Sequence, residues 1–268
     1  MERIEIVASP PDLDSIASVY LVRRALKGKE IQVRYLEHNQ IEMTEADYII
    51  DSPHGKARIM RFDHHNEKGN SCSAMKVVEY FGMGEPEKRL AMAVCWQDNA
   101  GWKNLEREGM DNLLDNVLRS FIVYGIGINE IEDIFRIIFD AMLKKFDSDI
   151  RLLKDLEKRI IYRSSKNNEV LVINGDFPKD IVFQEYKCVF VVKTENGYIS
   201  VTRSASLDKP DLNDFKGILE REVNNIQRWF FHPIGFYFGY SPYPGVVEDP
   251  PINPAKLGQL LYEFSKKG

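Results

Sequence analysis

The chain opens on an apolar run, Ile4-Glu5-Ile6-Val7-Ala8, and breaks at Ser9-Pro10-Pro11-Asp12-Leu13-Asp14, where two prolines and two acids interrupt regular structure. Between Ser15 and Lys27, Ile16, Val19, Tyr20 and Arg23 recur at helical spacing, and Ala17, Leu21 and Ala25 widen the apolar side. A helix is expected there, capped by Ser15 or Asp14. Strand-like runs follow at Ile31 to Tyr35, Tyr48 to Ile50 and Ile59 to Phe62, and the last two end at Asp51 and Asp63. Strands alternating with helices, with acids at strand ends, predict an α/β domain with a mostly parallel sheet flanked by helices.

The next stretch reads as helical. Ser73 to Phe81 stops at Gly82, and Pro86 suits the first turn of a helix that carries Leu90, Ala93 and Val94 toward Asp98. Asn112 to Tyr124 forms another, stopped by Gly125-Ile126-Gly127. A long pattern follows, capped by Asn129 and running to about Tyr162, very apolar at first and then alternating with charge. A helix of that length commonly bridges two domains, which assigns residues 1–160 to the first domain and 168–268 to a smaller α+β domain. In the latter, Val170 to Ile173, Cys188 to Val192 and Tyr198 to Thr202 are strand-like, with turns at Asn174-Gly175 and Asn196-Gly197. Phe215 to Ile226 reads as a helix, Trp229 to Tyr240 is aromatic-rich, Pro242, Pro244, Pro250, Pro251 and Pro254 punctuate a loop, and Lys256 to Phe264 is a closing helix.

With 268 residues, 44% hydrophobic and 29% charged, the chain has the composition of a soluble globular protein. No apolar run approaches the ~20 residues of a membrane span, and the start shows no signal-peptide core, so a cytoplasmic location is expected. The three cysteines, Cys72, Cys95 and Cys188, are odd in number and widely spaced, and reduced thiols are the simplest expectation. A net charge of −5 argues against duplex DNA as the main partner and is compatible with a small phosphorylated ligand held by local cations.

Candidate chemistry centres on Asp63-His64-His65, which ends the run Ile59-Met60-Arg61-Phe62. Neighbouring imidazoles point different ways, so one can bind a metal while the other meets a substrate, and an adjacent Asp can orient a ring. Asp12 and Asp14 follow the first strand, Asp51 ends the third, and Asp98 ends a helix. Each alone reads equally as a turn former, a cap or a helix end. Together, on parallel strands, the first three groups converge at one sheet edge, and carboxylate oxygens with imidazole nitrogens suit Mn²⁺ or Mg²⁺.

Pro11-Asp12-Leu13-Asp14-Ser15-Ile16-Ala17-Ser18, Asp51, Asp63-His64-His65 and Gln97-Asp98-Asn99-Ala100-Gly101 resemble the four successive motifs of the DHH phosphoesterase superfamily, over residues 8 to about 102. The resemblance implies an α/β domain paired across a cleft with a smaller substrate-binding domain. It implies a metal-dependent phosphohydrolase using one or two Mn²⁺ or Mg²⁺ ions, with Asp12, Asp14, Asp51, His64 and Asp98 as ligands and Asp51 as the bridge. His65 would meet the substrate phosphate or leaving oxygen, oriented with Asp63. The implied substrate is a small nucleotide or short oligonucleotide. Polyphosphate or pyrophosphate, and nucleotide binding without catalysis, stand as alternatives.

Two positions depart from the family pattern. Ala8 stands where a His is common, with His54 either a substitute or an exposed loop residue. Trp229-Phe230-Phe231-His232-Pro233-Ile234-Gly235 keeps the His of a Gly-Gly-Gly-His segment and replaces its glycines with rings. Arg203 and His232 are the candidate substrate contacts of the smaller domain, and the aromatics read as core packing or as a base-stacking surface. The aromatic C-terminal loops would equally cover a substrate or a partner subunit in a homodimer.

Overall fold

The computed structural model describes residues 3–65, 71–99, 113–164, 169–205, 210–242 and 249–266. By contacts the chain divides into two compact units, Met1–Ser148 and Asp149–Gly268.

The first unit holds a four-stranded sheet of β1 (Arg3–Ala8), β2 (Glu30–Tyr35), β3 (Glu45–Ile50) and β4 (Lys56–Phe62), in the order β2-β1-β3-β4. Every pairing is parallel, so the ends of β1, β3 and β4 emerge on one edge. The switch in strand order falls between β1 and β3, the place where open α/β sheets leave a crevice. Helices α1 (Leu13–Ala25), α3 (Ser73–Tyr80), α4 (Glu85–Asn99), α5 (Leu113–Val123) and the first part of α6 (Ile128–Arg159) bury one core with the sheet, including Ile6, Ile16, Leu21, Phe62, Phe135 and Phe139. The other sheet face carries a small cluster of Val7, Ala46 and Ile49 under Ile41, from the short α2 (His38–Ile41).

The second unit is built on a six-stranded mixed sheet. Its strands are β5 (Ile160–Arg163), β6 (Val170–Asn174), β7 (Phe190–Glu195), β8 (Tyr198–Arg203), β9 (Trp229–Phe231) and β10 (Tyr237–Tyr240). Their order is β5-β6-β7-β8-β10-β9. Only β6 and β7 pair in parallel, joined through α7 (Lys179–Tyr186); the other pairs are antiparallel. Asn196 and Gly197, both at positive φ, make the tight β7–β8 turn expected from Asn-Gly. The closing helix α9 (Pro254–Ser265) covers one sheet face with Leu257, Leu261 and Phe264. It packs so close that a Cβ on Gly258 would fall 2.6 Å from Tyr162 and Val172 side-chain atoms.

Several expectations need correction. Asp12, not Ser15 or Asp14, caps α1: its side chain accepts from the Ser15 amide, and the Ser15 hydroxyl accepts from the Asp12 amide, a closed capping box. Asn129 lies inside α6, which ends at Arg159; Ile160 to Arg163, expected as its last turn, pair with β6 instead. The stretch from Phe215 to Ile226 is α-helical only in α8 (Lys216–Leu219), and Ile226 opens a 3-10 turn to Arg228. Trp229 to Tyr240 form a hairpin, and α2 and α7 were not signalled by any apolar period. The expectation of reduced thiols fails for two cysteines: Cys72 and Cys95 form a disulfide between the start of α3 and α4, and Cys188 is the buried free thiol. Odd number and wide spacing gave no hint of that pairing, because helix packing alone brings the two side chains together. Ala100, Gly101, Trp102, Asn112, Tyr243 and Pro244 lie outside the described residues. No described helix is long and apolar enough to cross a membrane.

Candidate metal centre

Four elements deliver the acidic and imidazole groups to one edge of the first sheet. The β1–α1 turn brings Asp12 and Asp14, β3 runs into Asp51, β4 runs into Asp63-His64-His65, and α4 brings Asp98 near its last residue. His64 stands at the centre. Its Nε2 lies 3.4 Å from Asp51 Oδ1, 3.6 Å from Asp14 Oδ2 and 3.5 Å from Asp98 Oδ2. Two groups that could hold a metal ion overlap there, Asp51-His64-His65 and Asp14-His64-Asp98, each with its donor atoms within 4.8 Å of one another.

The carboxylates are held by groups outside the motifs. Asp14 is 1% exposed. Its two oxygens accept from the backbone amides of Ser73 (2.7 Å) and Ala74 (2.9 Å), the first residues of α3. Cys72, the residue before α3, offers no side-chain cap, so Asp14 caps that helix from another element. The amides there favour an anion. Asp51 accepts from the Ser9 hydroxyl at 2.9 Å and the Ser73 hydroxyl at 3.2 Å. Its backbone is left-handed, φ 54, a conformation Asp tolerates better than most residues. Its amide still donates to the Phe62 carbonyl at 2.7 Å, which ties the end of β3 to β4. Arg61 clamps the following loop by donating to the carbonyls of Pro53 and Gly55. Gly55, at φ 81, leaves no room for a Cβ beside the Ile41 carbonyl.

The electrostatics are those of an acid cluster that wants a cation. Burial, then Asp51, raises the Asp12 carboxyl to about 7 against the Ser15 hydrogen bonds that oppose it. Burial and Asp51 also push Asp14 well up, outweighing the two α3 amides. Burial and Asp51 raise Asp98 although His64 pulls the other way. Repulsion among desolvated carboxylates is the shared cause. His65 is different. Burial would lower its pKa, but the 2.6 Å contact from Nδ1 to Asp63 Oδ1, with Asp51 and Asp98 nearby, raises it overall.

The structure therefore gathers Asp14, Asp51, His64, His65 and Asp98, with Asp63 anchoring His65. Asp12 sits beside them with one oxygen committed to the α1 cap. Ala8 is fully buried at the end of β1. His54 lies exposed on the loop after Asp51 and joins neither ligand group. Arg203 and His232 belong to the second unit: Arg203 ends β8 and its amide donates to Phe236, and His232 opens the β9–β10 turn with its ring 4.4 Å from that of Phe236. Ser9, Ser73, the Ala74 amide and Arg61 escaped sequence reasoning, since an isolated Ser or Arg carries no positional signal. His38, with its ring 6.4 Å from that of His65, escaped for the same reason.

No family model matches the chain, and no curated protein does. Among solved structures, it is similar to the pGpG-specific phosphodiesterase PggH from Vibrio cholerae at 10% identity and TM-score 0.39, over 88% of this chain and 92% of that one. It is similar to an uncharacterized protein from Helicobacter pylori at 12% identity and TM-score 0.33, over 100% of both chains. It is similar to RecJ from Thermus thermophilus in complex with Mg²⁺ at 10% identity and TM-score 0.29, over 99% of this chain and 50% of that one. Scores this low carry no functional weight; the geometry of the site does.

Proposed function

We propose that this chain is a metal-dependent phosphohydrolase of the DHH type, acting on a small nucleotide or short oligonucleotide. The observation that carries this reading is His64 Nε2 set among Asp14, Asp51 and Asp98, all within 3.6 Å, at the sheet's switch point. Oxygen donors with one or two imidazole nitrogens suit Mn²⁺ or Mg²⁺. The raised carboxyls fit such an ion, because a divalent charge lets desolvated acids ionise together. Asp12, Asp14, Asp51, His64 and Asp98 would hold one or two such ions. Bound there, the metal supplies Lewis acidity that acidifies water and offsets phosphoryl charge.

The chain's own residues do the rest. The α3 amides and the Ser73 and Ser9 hydroxyls fix the carboxylate oxygens, so little reorganisation is left for the reaction. Asp63 holds His65 by Nδ1, which leaves Nε2 to donate to a phosphate oxygen or to the departing oxygen. Its raised pKa keeps the ring cationic closer to neutral pH. Arg203 and His232 are the groups we assign to substrate contact within the second unit. Acidic net charge and exposed aromatics support a nucleotide over long polyphosphate.

The test is product release in Mn²⁺ from a linear dinucleotide, a 3′,5′-bisphosphorylated adenosine, a cyclic dinucleotide, pyrophosphate and polyphosphate. His64→Ala and Asp51→Ala should be inactive yet folded. Full turnover by Asp51→Ala would sink the assignment. Buried Ala8 offers no ligand at the end of β1, which favours a second reading, nucleotide binding without hydrolysis. That reading predicts tight binding and no product from any member of the panel.

A further inference from the structure

The second unit's sheet has two unequal faces. One is covered by α9. On the other, Leu156, Phe177 and Val182 pack on Leu171, Ile173 and Val191 of β6 and β7. Beyond them no apolar cluster among the described residues covers that face, and the register sets Lys193, Ser200, Gly239 and Phe230 side by side across β7, β8, β10 and β9. Three strand spacings, about 14 Å, separate the ends of that row. A cavity of 580 Å³ lies over it, within the size range of small-ligand sites.

The lining combines cations with flat surfaces. Lys179, Lys193 and Arg228 face one acid, Glu195. Lys193 is already paired with Asp176 and, at 3.5 Å, with Glu195. Lys179 is half-buried and has no carboxylate partner among the described residues. Its Nζ donates to Thr202 Oγ1 at 2.8 Å and lies 5.0 Å from the Tyr237 ring centre. Burial and the nearby Lys193 lower its pKa, although Asp176 pulls the other way. Gly239 makes room for the Tyr237 phenol, which leans over the row: a Cβ there would sit 2.8 Å from Tyr237 Oη and 3.0 Å from the Ile199 carbonyl. Phe230, its ring centre 6.2 Å from that of Tyr237, is 57% exposed, and Tyr198 is 50% exposed. Solvated rings grouped on one sheet face form a stacking platform.

We infer that this face is a binding site for a nucleoside monophosphate unit, with the base stacked on the exposed Phe230 beside Tyr237 and the phosphate taken by Lys179 beside Lys193. The site lies within the second unit, borders His232 through Phe230, whose ring centre is 6.2 Å from that of the imidazole, and needs no metal. An acidic peptide would satisfy the lysines and leave the platform unused.

The experiment is calorimetric titration of the full chain in EDTA with 5′-AMP, adenosine and inorganic phosphate. AMP should bind at least tenfold more tightly than either fragment. Lys179→Met and Phe230→Ala should each weaken AMP at least tenfold while melting temperature stays put, and His64→Ala should bind AMP as the parent does. The inference is overturned if AMP binds no better than phosphate, or if both variants keep its affinity. It is also overturned if AMP binds only when Mn²⁺ replaces EDTA and that binding is lost in His64→Ala, or if a glutamate-rich peptide competes as well as AMP does. Because the tenfold preference is read in EDTA, failure here leaves the hydrolase reading standing, and an inactive enzyme leaves this site standing.

Discussion

Asp12→Asn should make the metal-free protein more stable at alkaline pH. The Asp12 carboxyl is raised from 3.8 to about 7, chiefly by burial and by Asp51. Between those values the folded chain holds a proton that the unfolded chain has released, so stability falls as pH rises, by about 1.36 kcal/mol per pH unit for one group. Across the interval that amounts to roughly 4 kcal/mol, an upper figure because Asp12 keeps some contact with solvent. Asp14 and Asp98 are raised too and push in the same direction. Asparagine caps a helix about as well as aspartate, so the substitution removes the charge and keeps the α1 cap. The assay is urea unfolding in EDTA at pH 5 and pH 8. The parent should lose stability between the two, Asp12→Asn should lose clearly less, and Mn²⁺ should restore the parent at pH 8. A parent as stable at pH 8 as at pH 5, with the variant indistinguishable from it, would refute the idea that these acids strain the empty fold.

Three further outcomes follow from the same geometry. Ser73→Ala removes the 3.2 Å hydrogen bond to Asp51 while leaving the amide bonds to Asp14; Mn²⁺ affinity by calorimetry should fall about tenfold, as for other groups that orient ligands, and an unchanged affinity would show that Ser73 does not position Asp51. Asp63→Asn removes the carboxylate that holds His65 up, so the imidazole should titrate at lower pH by NMR, and any activity that needs His65 protonated should fade at lower pH as well. Reducing the Cys72–Cys95 disulfide, or replacing both residues with Ser, should cost about 3 kcal/mol for a loop of 23 residues; a melting temperature insensitive to reductant would exclude the bridge.

The order of strands and helices in the first unit was legible because period and breakers are local signals: Ile4 to Ala8, the prolines at 10 and 11, and Gly82 and Gly125 each act on their immediate neighbours. The convergence of Asp14, Asp51 and Asp98 on His64 was legible too, since acids and histidines placed after apolar runs mark strand ends wherever the sheet is parallel. The second unit was read less well. Ile160 to Arg163 continue a helical pattern and become a strand because β6 offers a ladder, and the rings of Trp229 to Tyr240 form a hairpin because their partners in β8 lie far back in sequence. Tertiary packing alone decided which groups hold these carboxylates. Ser73 reaches Asp14 and Asp51 across 59 and 22 residues, Cys72 meets Cys95 across 23, and the row from Lys193 to Phe230 exists only once four strands fall into register. Sequence determines what each segment prefers within a few residues. The contacts that tune a carboxylate or open a pocket join segments whose proximity no local preference encodes.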